Sequence, residues 1–332
     1  MSKLKYLIKR IFSMSYKKMF DTVNKVNKKN KKNRFLIFFD IVYCGIKYQA
    51  GYTDYYLFEM YNLNKEQRKT IITRGINNSI IKKYNKPEYK NIFNNKIEFN
   101  QRFEKYLNRD WFVVNENNFN EFKIFIKKHN KFIAKPVDGQ CGVGIELIEI
   151  KKGQEKAQFN KLLENRQFLI EEVAIQCKEI SELHPTSINT LRVVTLKGHV
   201  VTAYIRIGNK NKIVDNFNNE GLAAPINVKS GVIDFPAIDK HDHLFKVHPI
   251  TKVEIVGFKV PKWESVIKLC EESSKVISEI GYIGWDVCVG INEVFLIEAN
   301  EFPGHDIYQL PPHRTNGIGL YPAFKKVLEE EK

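Results

Sequence analysis

Cysteines are few in this 332-residue sequence, and long apolar runs and internal repeats are absent. The five cysteines are scattered and form no Cys-x-x-Cys pair, which argues against a zinc ribbon or a redox-active dithiol. An odd number of scattered thiols is typical of a reducing compartment, so we expect a cytoplasmic protein. No apolar run reaches the roughly 18 residues that a transmembrane helix needs. No small-residue cleavage site follows an apolar core, which argues against a signal peptide.

Positive charge is concentrated at the N-terminus. Most of the formal net charge of +15 comes from residues 1–34, which hold twelve Lys and Arg and one acid. Apolar residues at helical spacing predict a basic amphipathic helix here: Leu4, Leu7, Ile8, Ile11, Phe12, Met19, Val23 and Val26. This helix would suit an anionic membrane surface. The alternatives are that its stripe packs on the protein itself, or that the charge reflects a Lys- and Asn-rich composition. Aromatic residues are not interleaved with the basic ones, which argues against nucleic acid.

Three oxygen-bearing side chains interrupt two apolar segments near the C-terminus. Residues 282–289 and 294–300 are typical of two strands joined by a tight turn. Because side chains alternate between the faces of a strand, Glu298 and Asn300 share one face. Asp286 lies opposite Glu298 if the turn leaves three residues unpaired. Two carboxylates and an amide oxygen would suit a hard cation such as Mg²⁺. The alternative is the polar outer face of an ordinary hairpin.

A glycine-rich loop follows a short apolar strand that carries Lys135. Three of its residues are Gly139, Gly142 and Gly144, and a second strand begins directly after them. Glycines allow successive N–H groups to point at one anion, and a nearby lysine adds a compact positive charge. The loop lacks the Gly-Lys-Ser/Thr of a Walker motif, and it precedes a strand, unlike a dinucleotide fingerprint. It predicts a flap over phosphates; the alternative is an ordinary glycine-rich hairpin.

Charged residues also occur in three other apolar segments. Glu171 and Glu172 end a predicted strand, and Arg192 and Arg206 each stand within a β-rich segment. Two arginines near an anionic substrate would stabilise the charge that develops on a transferring phosphoryl group. The alternatives are solvated acids at a strand end and arginines in structural ion pairs.

In this order, these features resemble the ATP-grasp superfamily and, most closely, its sugar-transfer-associated branch, which is related to glutamate-ligase-like enzymes. The resemblance covers roughly residues 90–330. The segments that carry it are 95–99, Lys135 with 139–144, 170–173, 184–192, 284–286 and 298–304. The final Glu-x-Asn-x-x-Pro-Gly string is the most specific of these.

The resemblance implies an α/β (α+β) fold with two lobes, in which ATP is held between two mostly antiparallel sheets, plus a helical basic N-terminal extension. The expected divisions are 1–34 for the basic segment, 35–109 for a mixed region, 110–173 for the small lobe with the glycine flap, and 174–332 for the large lobe with the metal site.

The resemblance also implies roles for individual residues. ATP would be bound by Lys96, Lys135, Gly139, Gly142, Gly144, Glu171, Glu172, Val173 and Glu179. Within this set the two lysines would contact phosphates, 171–173 the adenine and Glu179 the ribose. The residues expected to act in phosphoryl transfer are Lys135, Arg192 and Arg206. Asp286, Glu298 and Asn300 would hold one or two Mg²⁺ ions.

The predicted function is an ATP- and Mg²⁺-dependent carboxylate–amine ligase that forms an amide through an acyl phosphate. By resemblance, one substrate is a sugar or sugar acid used in surface polysaccharide biosynthesis. His305 and Arg314 follow the predicted metal strand and are candidates for substrate contacts. Two alternatives remain at this point: a kinase that phosphorylates a small-molecule hydroxyl, and a non-catalytic module that binds a membrane surface through residues 1–34.

Overall fold

The computed structural model describes residues 15–138, 143–209, 217 and 220–330. In chain order the helices and strands are α1 (Tyr16–Asn30), α2 (Arg34–Tyr48), α3 (Tyr52–Leu57), α4 (Lys65–Lys69), α5 (Arg74–Tyr84), α6 (Asn91–Asn94), α7 (Lys96–Phe103), β1 (Trp111–Val113), α8 (Phe119–Lys128), β2 (Lys131–Lys135), β3 (Glu146–Glu149), α9 (Glu155–Glu164), β4 (Leu169–Glu172), α10 (Lys178–Leu183), β5 (Leu191–Leu196), β6 (His199–Ile207), β7 (Leu222–Ile226), β8 (Ala237–Ile238), β9 (Leu244–Phe245), α11 (Trp263–Ser273), β10 (Tyr282–Val289), β11 (Val294–Asn300) and α12 (Tyr321–Glu329). Short 3₁₀ turns connect several of them.

The chain forms two compact units. The terminal unit comprises Met1–Lys83 and Gly304–Lys332, and the central unit comprises Tyr84–Pro303. The terminal unit is helical in its described part, whereas the central unit carries both sheets. None of the helices in the described ranges has the length and apolarity that a bilayer crossing requires.

The helical pair α1 and α2 organises the core of the terminal unit. The side chain of Ser15 caps the start of α1, and Lys31 ends it in the left-handed conformation. Met19, Val23 and Val26 are buried against the inward face of α2. This half of the predicted N-terminal stripe therefore packs on the protein itself. Its other members, Leu4, Leu7, Ile8, Ile11 and Phe12, lie outside the described residues.

A four-stranded antiparallel sheet forms one half of the central unit, in the order β1-β4-β2-β3. Helices α8 and α9 bury their apolar stripes on it, with Phe122, Phe132 and Phe159 at the centre of the core. These helices cover one face of the sheet. Lys135 and Glu171 alternate with the buried residues of β2 and β4, so they lie on the other face.

A seven-stranded antiparallel sheet forms the other half, in the order β11-β10-β5-β6-β7-β8-β9. Its core includes Trp285, whose indole N–H donates to Thr195 Oγ1 at 2.9 Å and whose ring meets Phe103 edge-on. Helix α11 packs into the same core through Val266 and Cys270. Two mostly antiparallel sheets with accompanying helices confirm the predicted mixed fold.

Candidate active site

A cavity of about 490 Å³ lies between the two sheets of the central unit. The four-stranded sheet contributes β2, β3 and β4 to its wall, and the seven-stranded sheet contributes β6, β10 and β11. Its charged lining residues are Arg109, Lys131, Lys135, Glu171, Glu172, Arg206, Asp286 and Glu298. The volume is in the range of sites that hold a small ligand.

A β-bulge determines which side chains meet on the last hairpin. Val289 pairs with Val294, so the turn leaves four residues unpaired rather than three. This register alone would place Asp286 opposite Ile297. The register shifts by one residue between Asp286 and Val287, however, and Asp286 pairs with Glu298 instead. The predicted opposition of the two acids is therefore observed, but it results from the bulge and not from a shorter turn.

Asp286 is buried and is held by two arginines. Arg192 on the neighbouring strand β5 binds both of its oxygens, through Nε and through Nη2 at 2.9 Å. Arg206 on β6 donates from Nη1 at 3.1 Å. Burial alone would raise the pKa of Asp286, but the two guanidinium groups outweigh it and hold the pKa at about 2. Asp286 is therefore a carboxylate anion at neutral pH.

Glu298 is in the opposite electrostatic situation. It is open to the cavity. Its pKa is raised, first by loss of hydration and then by the charge of Asp286, with which it shares a hydrogen bond. Two adjacent carboxylates compete for one proton unless a cation neutralises them. Oxygen donors at one end of a cavity suit Mg²⁺, so the residues present fit that ion.

Asn300 is the third predicted metal ligand, and it lies opposite Gly284 at the end of β11. Its Oδ1 accepts the N–H of Phe302 at 2.7 Å. It is not among the residues that line the cavity. The structure therefore brings Asp286 and Glu298 together at the cavity, whereas the side chain of Asn300 folds back on the chain that follows.

Lys135 forms an ion pair with Glu171 across β2 and β4. The Glu171 carboxylate also accepts from Asn100 Nδ2 at 2.8 Å and from Arg109 Nε at 3.1 Å. Burial opposes the charge of Glu171, but Arg109 and Lys135 more than compensate and lower its pKa strongly. The side chain of Glu171 is thus engaged in a cationic cluster at the cavity wall.

Arg109 is the residue of this cluster that the sequence analysis missed. Its guanidinium reaches the carbonyl oxygens of Leu296 at 2.5 Å and Ile297 at 3.1 Å, beside the bulge that sets the position of Glu298. Through Glu171 on β4 and these two carbonyl groups on β11, Arg109 connects the four-stranded sheet to the β10–β11 hairpin. The available signal was indirect: a buried glutamate inside an apolar strand requires a cationic partner.

Lys96 begins helix α7, and its backbone N–H donates to Val137 O at 3.1 Å. Burial lowers the pKa of Lys96, and the charge of Lys135 adds to this effect. Glu298, Asp138 and Glu171 act in the opposite direction, so all of these charges lie within electrostatic range of Lys96. The charge of one predicted phosphate lysine, Lys135, thus acts on the other, Lys96.

The other predicted nucleotide residues differ in their positions. Glu172 and Val173 line the cavity, and the Glu172 carboxylate accepts the N–H of Asp110 at 3.0 Å. Gly144 has a φ of +76°, and an added Cβ would lie 3.1 Å from Pro136 Cγ, so glycine suits this position. Gly139 and Gly142 lie outside the described residues. Glu179 is exposed in the first turn of α10 and does not line the cavity.

Two antiparallel sheets with a charged cavity between them define an ATP-grasp type of nucleotide-binding fold. The family described as sugar-transfer associated ATP-grasp matches residues 75–328. The chain belongs to this family. The match confirms the predicted ATP-grasp fold and assigns the chain to the ATP-grasp enzymes, whose cofactors are ATP and Mg²⁺, as predicted.

Solved structures that match the chain include ATP-grasp ligases of low sequence identity. PsnB in complex with a minimal precursor is 13% identical, with a TM-score of 0.44, over 75% of this chain and 63% of PsnB. D-alanine–D-alanine ligase from Bacillus anthracis is 16% identical, with a TM-score of 0.41, over 73% of this chain and 70% of that one. A RiPP-associated ATP-grasp ligase from Chryseobacterium gregarium, in complex with ADP and a leader and core peptide, is 15% identical, with a TM-score of 0.40. The match covers 82% of this chain and 73% of that ligase. No curated protein matches the sequence.

Proposed function

We propose that this protein is an ATP- and Mg²⁺-dependent carboxylate–amine ligase that forms an amide through an acyl phosphate. The observation that carries the proposal is the pairing of Asp286 with Glu298 in the cavity that Lys135 and Arg206 also line. Two carboxylates for a cation and two cations for phosphates are the charges that a bound metal–triphosphate requires.

The basic residues have distinct roles in this proposal. Lys96 and Lys135 bind phosphate oxygens, and Lys135 exchanges its contact with Glu171 for a contact with the nucleotide. Arg206 reaches both Asp286 and the cavity, so it is suited to stabilise charge on the phosphoryl group during transfer. Arg192, which is buried, holds Asp286 in its anionic state and in its orientation.

Asp286 and Glu298 would hold Mg²⁺, and Asn300 would join them by turning its amide oxygen from Phe302 towards the ion. When bound, Mg²⁺ neutralises phosphate charge and orients the oxygens for transfer. Glu172, Val173 and the neighbouring backbone form the cavity wall that would receive the adenine. The glycine loop that contains Gly144 would exclude water, which an acyl phosphate requires.

The substrates are proposed at the level of their chemical class. One substrate supplies a carboxylate and the other supplies an amine. The description of the family supports a sugar-linked substrate, and hence a role in surface polysaccharide biosynthesis. The solved ligases suggest a different carboxylate, since two of them are complexed with precursor or leader and core peptides. We also propose a cytoplasmic location, which agrees with the use of ATP.

The test measures ADP and phosphate release over a matrix of carboxylates and amines, which includes sugar acids, amino sugars, amino acids and short peptides. A ligase releases both products in equal amounts only when a carboxylate and an amine are present together. Hydroxylamine in place of the amine should trap the acyl phosphate as a hydroxamate. A stable phosphorylated product with no requirement for an amine would instead identify a kinase. Glu298→Gln serves as the inactive control.

A further inference from the structure

Helix α2 is apolar around most of its circumference, and only one side of it is buried. Ile37, Ile41, Cys44 and Tyr48 pack into the core of the terminal unit. The opposite side consists of Phe35, Leu36, Phe39, Val42, Tyr43 and Ile46, which we term the outer face of α2. These six side chains are 38–76% exposed. A helix in water normally carries polar residues on its solvent side, so this face requires a partner.

The outer face extends onto the neighbouring helix α1. Phe20 of α1 stacks on Phe38 at 5.8 Å, and Phe38 meets Phe39 edge-on at 5.5 Å. Phe20 and Tyr16 are themselves about half exposed, at 53% and 50%. The two antiparallel helices therefore present a continuous aromatic and aliphatic surface, and their buried sides pack on each other.

Positive charge surrounds this surface. Between Ser15 and Tyr48 the sequence holds nine Lys and Arg and two acids. One of these acids, Asp40, already binds Arg68 through both oxygens, at 2.6 and 2.7 Å. Exposed basic residues adjoin the outer face in sequence at both ends of α2. Lys31 and Arg34 precede Phe35, Lys47 follows Ile46, and Lys28 is exposed in the last turn of α1.

From this combination we infer that the outer face of α2 docks onto an anionic lipid surface, with α2 lying in the plane of the headgroups. Aromatic and aliphatic side chains would enter the boundary between headgroups and acyl chains, and the flanking lysines would bind acidic headgroups. A second copy of the chain is a poorer occupant, because it would bring the same positive charge to the contact. The inference does not depend on the proposed ligase chemistry.

Vesicle co-sedimentation of the full chain tests the inference. Wild-type protein should bind vesicles of phosphatidylcholine and phosphatidylglycerol at least about tenfold more strongly than phosphatidylcholine alone, and added salt should weaken the binding. The double variant Phe39→Glu/Ile46→Glu should lower the binding by at least about tenfold. Lys28→Glu/Lys47→Glu should lower it several-fold. ATP turnover should stay unchanged in both variants, since neither touches the cavity.

The matched control is Ile124→Glu on α8, because Ile124 is 72% exposed and lies next to Lys123 and Lys127 outside the outer face. This variant should bind vesicles as the wild type does. Lys268→Glu on α11 is the corresponding control for charge. Circular dichroism melts of all variants would verify that each retains the fold.

Several outcomes would overturn the inference. Wild-type protein that binds neither vesicle, or both equally, has no anionic lipid site. Unchanged binding by Phe39→Glu/Ile46→Glu would remove the outer face from any such site. Binding that is lost only in Leu7→Glu/Ile11→Glu would assign it to the residues that precede α1. A wild-type dimer that Phe39→Glu/Ile46→Glu converts to a monomer, without a change in vesicle binding, would make the face a contact between two copies.

Discussion

Asp286 lies directly opposite Glu298 across β10 and β11, and this pairing exists because the bulge leaves Ile297 out of the register between the two strands. The consequence is electrostatic. The arginines keep Asp286 charged, and the Asp286 charge in turn raises the pKa of Glu298. The charged form of Glu298 beside Asp286 destabilises the metal-free protein, and a bound cation would relieve this repulsion.

Glu298→Gln should abolish Mg²⁺-dependent turnover, with a loss on the order of 100-fold or more, because it removes a metal-binding charge. The same change should raise the melting temperature of the metal-free protein, since repulsion by Asp286 disappears. Turnover assays and thermal melts without Mg²⁺ measure the two effects. Glu293→Gln in the adjoining turn is the control and should change neither. Turnover that persists at ordinary Mg²⁺ concentrations would contradict the metal role of Glu298.

The stability difference between Glu298→Gln and wild type should depend on pH. A raised pKa means that folded Glu298 binds its proton more tightly than the unfolded chain does. The charged form therefore destabilises the fold above the folded pKa. The stability difference between the two proteins should shrink as the pH falls, and it should vanish below 4.5, the ordinary pKa of a glutamate. Urea unfolding of both proteins over a pH series would measure it, and a difference that grows towards low pH would contradict the assignment.

Asp286 should make the opposite contribution to acid stability. Its pKa is about 2 in the folded protein against an ordinary 3.8, so its stabilisation is present above pH 3.8 and is lost as the pH falls through 2. The shift corresponds to about 2 kcal/mol. Asp286→Asn should lower the free energy of unfolding at neutral pH by about 3–5 kcal/mol, because Arg192 then remains buried without its counter-charge. Urea unfolding measures this, with exposed Asp234→Asn as the control. A loss below about 1 kcal/mol would show that Arg192 does not depend on Asp286.

Lys135→Ala should weaken nucleotide binding by about tenfold or more, since a point charge on the phosphates is removed. The fold should persist, because Glu171 keeps Arg109 and Asn100 as partners. Calorimetric titration with ADP and a non-hydrolysable ATP analogue would measure the affinity. Lys161→Ala, in a half-exposed surface pair with Glu146, is the matched control. Affinity equal to that of the wild type would count against a phosphate contact from Lys135.

Arg109→Ala should lower the free energy of unfolding by about 3–5 kcal/mol, because it leaves a buried carboxylate and two carbonyl groups short of a donor. Arg109→Lys should restore only part of this loss, since an ammonium cannot reproduce the fork of contacts to Glu171 and the bulge. Denaturant unfolding and kcat provide the two readouts. Arg102→Ala, which is exposed on α7, should be neutral. A change in Arg109→Ala of less than 1 kcal/mol would show that the sheet-to-bulge contact is not structural.

Local sequence patterns predicted part of this molecule because they depend only on neighbouring residues. The alternation of side chains in β11 places Glu298 and Asn300 on one face, and the apolar segment before the glycine loop became the strand that carries Lys135. The order of motifs along the chain was sufficient to predict the ATP-grasp fold. Each of these features is set by backbone geometry over a few residues or by chain order.

Contacts between distant segments were decided only in the tertiary structure. The arginine pair on Asp286 and the bridge from Arg109 to Glu171 join residues far apart in sequence, and local periodicity carries no record of such pairings. The bulge at Ile297 lies within one hairpin, but it breaks the alternation from which a register is predicted. The same holds for α1 and α2. The sequence predicts the apolar stripe of α1, but only packing determines that Met19, Val23 and Val26 are buried while the outer face of α2 remains exposed.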